Sequence, residues 1–111
     1  MNAFIDRMFF AANGHVEGDY YYFRLIRRDD NNPNLIWDNV AKEVAEGVSW
    51  ADSVIDMPEV GTTGQYPVEI PANIPGGSYY VTIYKRLGSA PANSDDVSNS
   101  YLTKIGDIFG F

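Results

Sequence analysis

The sequence predicts an all-β fold, a sandwich of about seven antiparallel strands, and three observations carry that reading. Tyr66, Val68 and Ile70 recur two residues apart, as do Tyr79, Val81 and Ile83, so each stretch turns one apolar face toward a core. Between them, Pro71-Ala72-Asn73-Ile74-Pro75-Gly76-Gly77 is no tight hairpin. Its prolines withhold ladder donors and its glycines permit positive φ, so the chain leaves one strand, crosses over and starts the next. Finally, Gly77-x-Tyr79-x-Val81 has the form found where immunoglobulin-like sandwiches enter their penultimate strand, the tyrosine hydroxyl returning to upstream backbone. The expected fold is therefore an immunoglobulin-like β-sandwich, with Tyr79 packed and its hydroxyl satisfied.

Taken in order, the chain divides into an N-terminal arm (1–18), the sandwich (19–105) and a C-terminal tail (106–111). In the arm, Phe4, Met8, Phe9 and Phe10 are too apolar for a solvated end, yet Asn13-Gly14 and Glu17-Gly18 set them apart from the first clear strand. They either cover an edge of the sandwich or dock on another subunit. Residues 19–28 form that strand: Tyr21, Phe23 and Leu25 face one way, while Tyr20, Tyr22, Arg24 and Ile26 form the wetter face. Residues 29–34 are a turn of self-capping Asp and Asn, and 35–38 return as a short strand with Trp37 as a core plug.

Val40, Val44 and Val48 recur every fourth residue after Asn39, which predicts a short helix or irregular crossing near residues 40–47 that Gly47 stops. Residues 53–57 resume as a strand with Ile55 and Met57 inward, and Pro58 ends it. Residues 60–64 read as a glycine-flanked hairpin turn. After the central pair comes a polar loop over 87–96, then a closing strand over 97–105. The tail adds Ile108, Phe109 and Phe111, a second apolar end that again points to a partner.

Composition bounds the chemistry. A net charge of −7 repels phosphate backbones, so nucleic acid is not an expected partner. No apolar run approaches the ~18 residues of a membrane helix. The start, MNAFIDRMFFAANG, is broken by Asp6-Arg7 and is not expected to act as a secretory leader. Cysteine is absent and His15 is the sole histidine, which leaves no zinc set or cysteine nucleophile and only one base for a serine triad. No enzyme and no cofactor are expected: there is no phosphate loop, and Gly61-Thr62-Thr63-Gly64 has no helix after it. Asp29-Asp30 and Asp95-Asp96 lie in loops without calcium-loop spacing and read as solvated turn residues, so no metal is expected. Arg27-Arg28 and Lys85-Arg86 are basic spots at strand ends, suited to ion pairs with another subunit or to edge protection.

Four runs carry a family resemblance: Trp50-Ala51-Asp52-Ser53-Val54-Ile55; Gly64-Gln65-Tyr66; Ile74-Pro75-Gly76-Gly77-Ser78-Tyr79-Tyr80-Val81-Thr82-Ile83-Tyr84; and Gly88-Ser89-Ala90-Pro91-Ala92-Asn93-Ser94-Asp95. Together they resemble a small immunoglobulin-like module of tailed-phage and prophage structural proteins, over residues 19–97. Lys85-Arg86-Leu87 departs from the more neutral stretch of that module. The resemblance implies a non-enzymatic virion component (head decoration, neck or tail accessory protein), made in the host cytoplasm and bound in many copies to other virion proteins. Phe4, Met8, Phe9, Phe10, Ile108, Phe109 and Phe111 are then the expected partner contacts. The alternative is a module that binds carbohydrate or a host surface, with Tyr20, Tyr22, Tyr80 and Tyr84 as its aromatic platform.

Overall fold

The structure, a computed structural model, describes residues 4–10, 20–28 and 35–105. The expected turn at 29–34 with Asp29-Asp30, as well as His15, Ile108, Phe109 and Phe111, lie outside the described residues.

Eight strands and one helical turn run in the order β1 (Phe4–Phe10), β2 (Tyr21–Arg28), β3 (Ile36–Asp38), β4 (Glu43–Ala45), α1 (Trp50–Ser53), β5 (Ile55–Met57), β6 (Gln65–Ile70), β7 (Gly77–Lys85) and β8 (Asp96–Ile105). They form two antiparallel sheets. The larger is ordered β4-β3-β2-β7-β8, with β5 also on β2; the smaller is β1-β6. On one side β2 pairs with β7 along its length. Its other side is shared, with β5 against Tyr21, Tyr22 and Phe23 and β3 at Ile26.

The period-two pattern places the core as expected. Phe23, Leu25, Val68, Ile70, Val81 and Ile83 are all 0% exposed, and Trp37 joins them from β3. Each such side chain contributes about 1.5–3 kcal/mol by leaving water. The crossing between β6 and β7 joins the two sheets, and the Tyr79 hydroxyl donates to the Pro75 carbonyl at 2.6 Å. Gly77 starts β7 with φ 145°, where a Cβ would also meet the Arg27 guanidinium at 3.3 Å. The backbone conformation requires glycine there, and a side chain would in addition displace the end of Arg27.

Four expectations are corrected. Part of the expected arm is β1, paired to β6 from Phe4 opposite Ile70 to Phe10 opposite Gln65. A register shift between Ile5 and Arg7 resets the alternation, so Phe4 and Phe9 both pack on the core. The helix expected near 40–47 is a turn followed by β4. Asp38 Oδ1 accepts from the Val40 and Ala41 amides, which holds a turn in place of a helix, and Lys42 closes it at φ 61°. The helix lies instead at Trp50–Ser53, where the Ser49 hydroxyl accepts from the Asp52 amide. Residues 60–64 are not a hairpin turn, because β5 and β6 belong to different sheets. Finally, the face of β2 expected to be wetter is buried at Tyr22 (0% exposed) and Arg24 (7%), because α1 and the 87–95 loop cover it.

Candidate functional site: an outer sheet face, half capped and half open

The outer face of the large sheet has two unlike halves. At one end, Tyr22 and Tyr84 are direct cross-strand partners and stack at 5.2 Å with 18° between their planes. Trp50, carried by α1, meets Tyr84 edge-on at 5.1 Å, and its indole N–H donates to the Tyr22 hydroxyl at 3.1 Å. The Arg24 guanidinium lies 3.8 Å over the Trp50 ring, donates through Nε to Ser53 Oγ at 2.7 Å and reaches the Tyr84 hydroxyl at 3.5 Å. The Ser53 hydroxyl in turn donates to the Trp50 carbonyl at 2.7 Å. A buried cation is thus held by an aromatic face and oxygen acceptors.

Asp95 locks this cap from the loop side. Its Oδ2 accepts from the Tyr22 hydroxyl at 2.5 Å and the Ala92 amide at 2.9 Å, and its Oδ1 accepts from the Leu87 amide at 3.0 Å. Burial alone would raise the Asp95 pKa, but the hydrogen bonds from Tyr22, Ala92 and Leu87, with the nearby Arg86 charge, hold it below the usual carboxylate value. Burial pushes the Tyr22 hydroxyl up, and the bond to Asp95 adds to that rise. Asp95 is therefore the loop's internal cap, 7% exposed, and not the solvated turn residue its sequence context suggested.

The other half of the face is open. Pairing aligns Ala45, Ile36, Ile26, Tyr80 and Leu102 directly opposite one another across β4, β3, β2, β7 and β8. Their strand neighbours Val44, Trp37, Leu25 and Val81 point inward, so this row points out. Tyr80 is 43% and Leu102 46% exposed. Arg28, Ser78 and Lys104 form the next row on one side. The result is an apolar stripe bordered by cations on an acidic chain.

The expected tyrosine platform is thus divided. Tyr22 and Tyr84 are buried in the cap, Tyr80 stands on the open stripe, and Tyr20 is half-buried, its hydroxyl bonded to Asp56 and its ring under Arg86 at 4.0 Å. Of the expected partner contacts, Phe4 and Phe9 pack on the core, Met8 is half-buried and Phe10 is 65% exposed. The sequence reading set Ile26 on the wetter face of its strand but did not join it to Ile36 and Leu102 as a surface. Nothing short of strand register links them, since they come from three separate strands.

A cleft of about 440 Å³ opens beside the corner that follows β6. Asn39, Lys42, Asp56, Glu69, Pro71 and Asn73 line it, mixing both charges. Among the described residues no group of three or more His, Cys, Asp or Glu could hold a metal ion. No helix of the described residues is long and apolar enough to cross a membrane.

Comparison with protein-family models, with curated proteins and with solved structures finds no match to this chain.

Proposed function

We propose that this chain is a non-enzymatic structural component of a tailed-phage particle, bound to neighbouring virion subunits through the open half of its outer sheet face. The observation that carries the reading is the stripe Ala45-Ile36-Ile26-Tyr80-Leu102, an apolar row exposed at Tyr80 and Leu102 and half-buried at the other three, on a chain of net charge −7. The runs behind the family resemblance support it from the other side. Trp50, Ser53, Tyr84 and Asp95 converge in the cap and rigidify the sheet that carries the stripe. In this reading affinity comes from many copies of a modest contact on a symmetric assembly. Phe10 on β1 is a second exposed contact point.

The test uses intact particles. The protein should copurify with them, and Tyr80→Ser with Leu102→Ser should reduce its occupancy while leaving the melting temperature of the free domain nearly unchanged. Normal occupancy of the double variant would remove the stripe from the contact. Failure of the wild-type protein to copurify, together with a specific signal on a glycan array, would favour the carbohydrate-binding alternative.

A further inference from the structure

β8 is the longest strand, ten residues, and it ends the large sheet. Among the described residues its outer edge has no strand partner. The other end of that sheet, β4, is only three residues long and begins with an exposed glutamate, which is how natural proteins blunt an edge. β8 has little such protection. It contains no proline, its outward side chains are mostly small and polar, and its sole lysine is Lys104. A register shift beside Ile83 and Tyr84 disturbs only its first residues, leaving 99–105 regular.

We infer that a second copy of this chain pairs antiparallel with β8, edge to edge, with Leu102 on the two-fold axis. Two features select that occupant and that register. First, the apolar stripe ends at Leu102, and only a dyad at Leu102 sets it against its own copy; a dyad at Ser100 would set it against Ser98, and one at Lys104 against the chain beyond Ile105. The stripe then runs unbroken from one copy into the other. Second, the same register sets Tyr101 opposite Thr103 of the second copy. On the inner side of β8, Arg7 lies 3.5 Å over the Tyr101 ring, and Asp6 accepts from Tyr101 at 2.9 Å and Thr103 at 3.0 Å. Pairing at the usual strand separation of about 4.8 Å therefore gathers Asp6 and Arg7 of both copies beside the axis, two carboxylates and two guanidinium groups with no net charge. The dyad repeats each contact of that set once, as an isologous interface requires. The inference stands apart from the particle reading, since the purified chain alone can test it.

The absence of cysteine makes the test clean. Sedimentation of the wild-type protein over a concentration series should give a species of twice 12.4 kDa. Leu102→Lys, which places two like charges on the axis, should shift it to monomer mass with an unchanged circular dichroism spectrum. Leu102→Cys should cross-link as a disulfide under mild oxidation, because directly opposite residues have Cβ atoms about 4.5–5.5 Å apart and a shift of about 1 Å at a sheet edge closes that to the ~3.5–4.5 Å of a disulfide. Val40→Cys, in the exposed β3–β4 turn, should form no disulfide-linked dimer under the same oxidant. A wild-type protein that sediments as a monomer throughout would overturn the pairing. A dimer in which Leu102→Cys links no faster than Val40→Cys would overturn it as well.

Discussion

Tyr22 on β2 donates its hydroxyl to the Asp95 carboxylate, 2.5 Å away, across 73 residues of sequence. That bond ties the loop before β8 to the centre of the large sheet, and the amides of Leu87 and Ala92 use the same carboxylate. Asp95→Asn turns an amide N–H toward donors that need an acceptor, so it should cost ~1–3 kcal/mol at neutral pH. The native carboxyl titrates below its usual value, so its contribution is complete above about pH 4 and is lost as pH falls through the native pKa. Denaturant melts of both proteins along an acid series should therefore converge. A gap that stays constant into strong acid would mean that the carboxylate does not carry the effect.

Alkali probes the opposite sign. Burial, then the bond to Asp56, pushes Tyr20 up to about 12, and burial raises Tyr22, Tyr79 and Tyr101 as well. A raised native pKa means that the stability gained from the neutral phenol is intact below the unfolded value near 10 and is lost as pH climbs through the native one. Absorbance at the phenolate band should show fewer ionised tyrosines in the native protein than in the unfolded protein near pH ~11. Equal titration of the two forms would contradict the burial described for these four rings.

The corner at the start of β7 isolates a single hydroxyl. Tyr79→Phe keeps the ring in the core and removes the bond to the Pro75 carbonyl, so it should cost ~1–2 kcal/mol in a denaturant melt. A neutral result would leave the packing intact but make the hydroxyl dispensable.

β1 separates folding from contact. Deleting residues 1–12 removes Phe4 and Phe9 from the core and strips β6 of its strand partner, so the truncated protein should lose cooperative thermal unfolding. Phe10→Ser, at a side chain 65% exposed, should melt within about 0.5 kcal/mol of wild type. A truncated protein that still melts cooperatively would show that the two-stranded sheet is not needed for the core.

The strands that close the core were legible because alternation is a local property: Val68, Val81 and Phe23 declare their faces within a few residues of sequence. Tyr79 was legible for the same reason, since its partner lies four residues upstream. The cap was not. Arg24 reads as a solvent-facing residue until Trp50 and Ser53, brought from 26 and 29 positions away, lie against it. β4 was misread because Val40 and Val44 recur at a helical spacing, while the decision was made by one carboxylate, Asp38, capping the turn between them. The open stripe lay furthest from view, because its residues become neighbours only through the pairing of five strands.

Asp6 reaches 95 residues forward to Tyr101 and 97 forward to Thr103. A ribosome therefore releases β1 long before it makes either partner, and β6, which pairs with β1, also follows only after the first four strands of the large sheet and the helical turn. The large sheet is later still, since β7 and β8, which complete it, are made only after β6, so neither wall of the core is finished until the end of the chain is out. Chains built from such distant pairings fold slowly, over milliseconds to seconds. During that interval Phe4 and Phe9 are exposed on a strand awaiting its partner, which makes the growing chain's vulnerable period a property of where its first strand ends up.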